Sequence, residues 1–381
     1  MKIVILGAGA SYDCINKYHE KEHELDEVLK WRPPLGNDIL GSRKNFREIY
    51  DLYPGAQTFS HAINASSDIE DFFQKKWTQA IEKGDNVTLA NLINTQYCFQ
   101  HLFFVISQHY SKNIGSNNYQ ILLQQAHDYT IQTGEEVAFI TFNYDLLLEY
   151  ELLKIYAPYD DINLDTYTKY PIKIFKPHGS CNWVREFKDW VSYDIVSNLL
   201  IQKRPLSELE DKLEKLIKIN YFNFESFRNP KTNNDLFLSQ NIEFDSFRGY
   251  FPQLLIPMKD KDEFVMPKEH EAQMVECLKK MTDLLVIGWK GQEAKFLELL
   301  KGLDIQRDIN LTGVTCGESQ MSNELKRVLK GIKIENYITD YYRVKDPNYY
   351  PHDVIYDHKI GTFSSFILNT ENKLTKGFFE Y

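Results

Sequence analysis

The sequence predicts an α/β fold, a doubly wound parallel sheet with a helical insertion module. Three apolar runs that each end in a short motif carry this prediction, together with the strand and helix patterns that alternate after them. The runs and their motifs are residues 3–6 with 7–11, 137–140 with 141–145, and 172–175 with 177–180. Because ligands of open α/β sheets bind at the carboxyl ends of the strands, the three motifs are expected to share one cleft.

The first motif, Gly7-Ala8-Gly9-Ala10-Ser11, is a turn of small residues between a strand and a helix. Such a turn lets the backbone approach a diphosphate, whose charge the N–H groups of the helix then face. The Rossmann dehydrogenase fingerprint needs a third glycine, where this chain has Tyr12, and an acid ending a second strand about 20 residues on. Neither is present. The turn therefore predicts nucleotide binding without hydride transfer, and a purely structural strand-to-helix corner is the alternative.

Helical patterns fill the segment between the first two motifs. Residues 68–110 have apolar side chains at the spacing of amphipathic helices, with a helix start at Asp68-Ile69-Glu70. Before them, residues 33–37 (Pro-Pro-Leu-Gly-Asn) form a loop that either folds over a cofactor or simply connects two elements. Later in the chain, a stripe of leucines predicts a charged helix over residues 206–216.

Strand and helix patterns resume near residue 254. Helices are predicted over residues 269–281 and 292–300, and strands over 283–288 and 309–314. The predicted domains are a nucleotide-binding domain formed by residues 1–40, 136–185 and 250–345, a helical insertion module at 41–135, a second insertion at 186–249, and a C-terminal tail at 346–381. The tail is rich in aromatic residues, so it either docks on another subunit or partner or folds back on its own domain.

The composition argues against several classes of function. The chain has 44 basic and 54 acidic side chains, a formal net charge of −10, which disfavours direct binding of nucleic acid. No apolar run approaches the ~20 residues of a membrane helix, and the first strand lacks the form of a signal peptide, so a cytoplasmic protein is expected. The five cysteines are scattered without a C-x-x-C pair, which predicts that no metal is bound.

The three motifs, followed by Leu285-Val286-Ile287-Gly288, resemble the sirtuin superfamily, in particular its bacterial sirtuin-like NAD hydrolases of antiphage defence systems. This resemblance implies a sirtuin-type Rossmann-like fold, NAD⁺ as the substrate, and Asn143 and His178 as catalytic residues, with Asp145 beside them. It also implies a homo-oligomer and, as a candidate partner, a HerA-like ATPase.

The NAD⁺ contacts are expected from the motifs and from the last part of the sheet. The residues assigned to them are Gly7, Ala8, Gly9, Ala10, Ser11, Asp13, Thr141, Gly288, Trp289, Glu293 and Glu318. Trp289 stands where the family usually has a small polar residue near the ribose. Glu293 either replaces the acid of that segment or is an ordinary first-turn carboxylate.

The bond to be cleaved explains the catalytic assignments. Nicotinamide leaves NAD⁺ as a neutral base, so the general acid that glycosidases use is not needed. Asn143 can hold the ribose and the incoming water, and His178 can act as the base, because histidine ordinarily titrates near neutral pH. Asp145 is expected to orient Asn143 or to tune the histidine.

Two alternatives use the same cleft. One is an NAD-dependent protein deacylase or ADP-ribosyltransferase, which the missing four-cysteine zinc ribbon of sirtuin deacetylases disfavours. The other is a non-catalytic nucleotide sensor, which the change at Trp289 would allow.

Overall fold

A six-stranded parallel sheet carries the predicted motifs at one edge. The structure, a computed structural model, describes residues 1–14, 30–40, 43–64, 68–113, 117–188, 211–219, 250–256, 264–314, 319–338, 362–368 and 378–379. The strands in this part of the chain are β1 (Lys2–Leu6), β2 (Val137–Thr141), β3 (Ile172–Phe175), β4 (Gly179–Phe187), β5 (Leu213–Ile219), β6 (Tyr250–Leu254), β7 (Asp283–Ile287), β8 (Ile309–Val314) and β9 (Ile332–Ile338).

The order of the parallel strands is β3-β2-β1-β7-β8-β9. The chain builds outward from β1 through β2 to β3, and then returns to build the other half from β7 to β9. This is the doubly wound arrangement of Rossmann-like folds, so the predicted fold class is confirmed. The two halves meet between β1 and β7, and ligands of such sheets bind beside this switch point at the carboxyl ends of the strands.

The central strands end at the same level. β1 and β2 are buried at every position, as expected for parallel strands that are covered on both faces. Leu6 of β1 pairs with Thr141 of β2 and with Ile287 of β7. The loops that follow these three strands, which contain the glycine turn, Asn143 and Gly288, therefore lie side by side.

Helices pack around the sheet and fill the segment between β1 and β2. Those described are α1 (Ala8–Tyr12), α2 (Lys44–Tyr50), α3 (Pro54–Asn64), α4 (Ile69–Lys83), α5 (Asn86–Asn113), α6 (Asn118–Thr133), α7 (Leu147–Tyr156), α8 (Lys268–Lys279), α9 (Ala294–Gly302), α10 (Ser319–Val328) and α11 (Thr362–Leu368), with short 3-10 helices at Gly36–Leu40 and Leu164–Tyr167. The helical pattern of residues 68–110 is thus confirmed by α4 and α5. The division of the chain into domains and insertions stays a prediction.

The start of α4, which the sequence places at Asp68, has a local cause. The side chain of Asp68 accepts hydrogen bonds from the backbone N–H groups of Glu70 (2.9 Å) and Asp71 (3.2 Å). These N–H groups have no partner within the helix, so the carboxylate satisfies them. Its negative charge also interacts favourably with the positive end of the helix dipole.

A second sheet, antiparallel and of order β5-β4-β6, corrects one sequence prediction. The helix predicted over residues 206–216 is wrong at its end, because Leu213–Ile219 is a strand; residues 206–210 lie outside the described part. Ile217 pairs with Arg185 of β4, and Leu216 of the supposed apolar stripe is 65% exposed. Pairing with β4 therefore outweighs the local helical pattern.

The described residues of the C-terminal tail contact their own chain. In α11, the ring of Phe363 lies 5.6 Å from that of Tyr119 in α6. The backbone N–H and the hydroxyl of Ser364 both donate to the carboxylate of Asp13, at 2.8 and 3.1 Å. The start of α11 is therefore held at the end of α1, close to the glycine turn.

The turns after β1 and β7 touch backbone to backbone at three glycines. Gly9 N–H donates to the Gly288 carbonyl (3.2 Å), and Gly7 N–H donates to that of Ile287 (3.0 Å). A Cβ on Gly7 would lie 2.4 Å from the Gly288 oxygen, and one on Gly288 would lie 2.5 Å from the Ala10 nitrogen. Gly288 also has a φ of 61°, a conformation that disfavours any side chain. The contact therefore requires glycine in both turns.

Gly288→Ala is expected to lower the free energy of unfolding by about 2 kcal/mol or more, because the new Cβ adds left-handed strain to a backbone clash. Urea unfolding followed by circular dichroism measures this change. The control is Gly302→Ala at the end of α9, where a Cβ would meet no atom within 4 Å. That variant should keep or slightly raise the stability. Equal stabilities for the two variants would contradict the proposed glycine contact.

Candidate active site

The candidate site is formed by the loops after β1, β2 and β3, which are neighbours in the sheet. The structure brings residues of all three motifs together there. Asn143 Nδ2 lies 2.9 Å from the carbonyl oxygen of Gly7, and the ring of Phe142 lies 4.8 Å from that of His178. Asn143 and His178 are 7% and 6% exposed, so both side chains are largely held within the protein.

Asn143 has a fixed amide orientation. Its Nδ2 donates hydrogen bonds to the Gly7 carbonyl and to Ser11 Oγ, each at 2.9 Å. A backbone carbonyl can only accept, so the amino group must face Gly7 and Oδ1 must point the other way. Within the described residues, Oδ1 accepts no hydrogen bond, and it is not sealed off from solvent. This oxygen is therefore available to a ligand hydroxyl or to water.

Thr141 supports the loop that carries Asn143. Its Oγ1 accepts a hydrogen bond from the backbone N–H of Asn143 (3.2 Å). Thr141 is almost fully buried, so this bond shapes the turn after β2. A direct contact of Thr141 with NAD⁺ stays a prediction.

Asp145 is buried two residues after Asn143. Burial raises the pKa of the Asp145 carboxyl, while the charge of Lys176 and the nearby Ser11 hydroxyl lower it and Glu149 raises it again. No direct hydrogen bond joins Asp145 to Asn143 in the described residues. The role of Asp145 in orienting Asn143 or tuning the histidine stays a prediction.

A buried ion pair lies behind these residues. Lys176 Nζ is 2.8 Å from Glu149 Oε1, and both side chains are fully buried. Lys176 also donates to the backbone carbonyl of Asp145, and the Tyr167 hydroxyl donates to Glu149 Oε1 (3.0 Å). Since Lys176 is two residues before His178, the pair ties the histidine loop to α7. Sequence reasoning missed this pair, and its one signal is a lysine directly after an apolar strand.

An aromatic stack lies beside His178. The ring of Phe142 is 4.8 Å from that of His178 and 5.5 Å from that of Trp289, which is nearly parallel to it. Trp289 is only 2% exposed, and its Nε1 donates to the carboxylate of Glu293. The same carboxylate accepts from the Gln292 N–H (3.1 Å). Trp289 is therefore part of the packed wall of the site, and Glu293 holds the loop after β7.

The glycine turn is largely satisfied by the protein itself. The N–H groups of Gly7, Gly9 and Ala10 each donate to a backbone carbonyl. Ala8 is the exposed residue of the turn. A diphosphate would therefore meet the turn through close approach near Ala8 more than through these three donors.

Of the other residues assigned to NAD⁺, Asp13 has partners elsewhere in the protein, and Glu318 lies outside the described part. The Asp13 carboxylate is engaged by Ser364, as described above, and lies 3.6 Å from Arg32. Glu318 is not among the described residues. The parts that Asp13 and Glu318 would play in NAD⁺ binding stay predictions.

The cysteines of the described residues serve as packing groups. Cys14, Cys98, Cys181 and Cys277 are free and buried. Burial raises the pKa of the Cys14 thiol well above its ordinary value, which makes it a poor nucleophile. In the same part of the chain, no group of three or more His, Cys, Asp or Glu side chains is placed to hold a metal ion. No helix there is both long and apolar enough to cross a membrane.

The comparisons with known proteins concern the fold. The sequence matches no protein-family profile and no curated protein. Among solved structures, Sir2Tm bound to a propionylated peptide is similar, with 9% identity over 89% of this chain and 87% of that one and a TM-score of 0.34. A complex of Sir2, p53 peptide and NAD⁺ has 12% identity over 89% and 88%, also with a TM-score of 0.34. The fold class of this chain therefore rests on its own strand order.

Lys176→Met is expected to lower the free energy of unfolding by about 3–5 kcal/mol, because it leaves Glu149 charged and buried without its partner. The double variant Lys176→Met/Glu149→Gln should recover part of this loss, since it removes the uncompensated charge. Urea unfolding of the three proteins measures both effects.

The matched control is Lys279→Met, which breaks an exposed ion pair between Lys279 and Glu276 at the end of α8. Exposed pairs contribute little, so this variant should unfold like the unmodified protein. A Lys176→Met protein as stable as the control would show that the buried pair does not hold the site together.

Proposed function

We propose that this protein is an NAD⁺-consuming enzyme, and specifically an NAD⁺ hydrolase that releases nicotinamide and ADP-ribose. The observation that carries the proposal is the fixed amide of Asn143. Its amino group is held by Gly7 and Ser11, so its Oδ1 is presented at the carboxyl edge of the sheet, next to the switch point where nucleotides bind in such folds. A preorganised acceptor at this place suits a ribose hydroxyl.

The chemistry needs few groups. Water adds to the ribose carbon as the bond to nicotinamide breaks; nicotinamide leaves with the bonding electrons as a neutral molecule, and one proton is released. Asn143 Oδ1 would accept from a ribose hydroxyl or from the water and stabilise the oxocarbenium-like state. His178 would take the proton from the water. Asp145, buried beside this pair, would orient Asn143 or tune the histidine.

The biological setting is proposed from the sequence resemblance alone. Depletion of NAD⁺ would stop an infected cell, which is the role of the antiphage enzymes that the motifs resemble. Such an activity must be restrained in healthy cells. We therefore propose that it depends on assembly into a homo-oligomer, with a HerA-like ATPase as the candidate partner.

Asn143→Ala is expected to lower the turnover of NAD⁺ by at least about 100-fold, comparable to the loss of one preorganised transition-state contact. His178→Ala should lower it by roughly 10²–10⁴-fold through loss of base catalysis. Release of nicotinamide measures turnover, and calorimetry measures NAD⁺ binding, which should change far less. The melting temperature reports whether each variant is folded.

Matched controls exist for both residues. Asn310 lies at the amino end of β8, whereas the site lies at the carboxyl ends of the strands. Its amide donates to Asp283 (3.1 Å). His127 lies on α6 and hydrogen-bonds the Tyr156 hydroxyl (3.0 Å). Asn310→Ala and His127→Ala should keep their turnover. Near-normal hydrolysis by Asn143→Ala or His178→Ala would remove that residue from the catalytic pair. Turnover that requires an acyl-lysine peptide would replace the hydrolase with a deacylase.

The isolated chain is expected to form a homo-oligomer, and its NAD⁺ turnover should rise with the oligomeric fraction. Size-exclusion chromatography with light scattering, run on the fractions used for nicotinamide assays, measures both quantities. A monomer with full turnover would rule out control by assembly.

A further inference from the structure

Tyr119 contributes a hydroxyl to the site from an element that none of the three motifs includes. It lies on α6, is 1% exposed, and its ring packs against Phe363 of α11 at 5.6 Å. Its hydroxyl oxygen is 2.9 Å from Ser11 Oγ and 3.5 Å from Asn143 Nδ2. A single phenol thus reaches both the residue that holds the Asn143 amide and the amide itself.

The chemistry of the amide fixes the direction of its hydrogen bonds. Asn143 Nδ2 can only donate, and its two shortest bonds are to the Gly7 carbonyl and Ser11 Oγ. Ser11 Oγ therefore accepts from the amide. The hydroxyls of Ser11 and Tyr119 share a further hydrogen bond, in which either can be the donor.

Two hydrogen bonds therefore hold Ser11 Oγ, one from Asn143 Nδ2 and one shared with the Tyr119 hydroxyl. The phenol restrains the rotamer of Ser11 whichever of the two hydroxyls is the donor. Burial also raises the pKa of Tyr119 well above its ordinary value, which keeps the phenol protonated.

We infer that Tyr119 is a positioning residue, which locks Ser11 Oγ in the rotamer that holds the Asn143 amide in its active orientation. The inference rests on the proposed function for its catalytic meaning, but the hold on the amide is a property of the free protein. Without the phenol, Ser11 Oγ loses one of the two hydrogen bonds that hold its rotamer. Rotation of Ser11 would then release one hydrogen of the Asn143 amino group.

The test compares two tyrosine-to-phenylalanine variants in the full chain. Tyr119→Phe removes the hydroxyl and keeps the ring against Phe363. The control is Tyr97→Phe on α5, outside the site. It also removes a buried hydroxyl, which donates to the Tyr250 carbonyl (2.7 Å). Both variants lose one buried hydrogen bond, so their melting temperatures should fall to a similar degree.

Only Tyr119→Phe should change the site. Its kcat for nicotinamide release is expected to fall about tenfold, the effect of one lost hydrogen bond, with KM nearly unchanged. In the Asn143→Ala background the same substitution should cause no further loss, because a residue that acts through Asn143 has nothing left to position. An equal loss in both backgrounds would overturn the positioning role.

A second readout does not depend on activity. In protein labelled with ¹⁵N-asparagine, the side-chain NH₂ signal of Asn143 is identified by its absence in Asn143→Ala. Its hydrogen exchange should be about tenfold faster in Tyr119→Phe and unchanged in Tyr97→Phe, since only the first loosens its partner. An unchanged exchange rate in Tyr119→Phe overturns the inference. Faster exchange in a protein that never releases nicotinamide supports the positioning of the amide and overturns the proposed function instead.

Discussion

The close approach of the turns after β1 and β7 is the constraint on which the site depends. Gly7, Gly9 and Gly288 let the two backbones touch where any side chain would clash. This contact fixes the carbonyl of Gly7, which accepts from both Ala10 N–H and Asn143 Nδ2, each at 2.9 Å. Because a carbonyl oxygen has two lone pairs, the turn and the amide share one acceptor. The orientation of Asn143 therefore follows from backbone packing between two strands that are distant in sequence.

Near this contact, the protein buries charged side chains. Lys176 and Glu149 are fully buried, and Asp145 beside them has a pKa raised by burial. Replacing buried ion pairs by apolar groups often leaves stability unchanged or raises it, so this cluster is weak evidence for a stabilising role. It is better explained by geometry. Lys176 donates to Glu149 Oε1 and to the Asp145 carbonyl, although Glu149 Oε2 has no hydrogen-bond partner within the described residues. These bonds tie the histidine loop to α7 and to the loop after β2.

The parts of the fold that the sequence predicts are those with a local pattern. β1, β2 and β3 are continuous apolar runs, and α4 begins at a capping Asp68, so neighbouring residues alone define them. β5 has no such signal, because its pairing with β4 is what makes it a strand. The same holds for the site: the motifs mark Asn143 and His178, whereas contacts between residues distant in sequence pair Lys176 with Glu149 and bring Tyr119 to Asn143.

In the proposed function, Asn143 and not Trp289 would hold the ribose. Trp289 is buried against Phe142, and it has no hydroxyl, whereas the sirtuin-like enzymes that the motifs resemble usually have a small polar residue there. Its indole N–H donates to the carboxylate of Glu293, which also accepts from the Gln292 N–H. The loop after β7 thus forms a closed unit that braces Phe142 beside His178. With that loop engaged in packing, the proposed function depends on Asn143 Oδ1, and the groups that fix the direction of this oxygen would position the ribose.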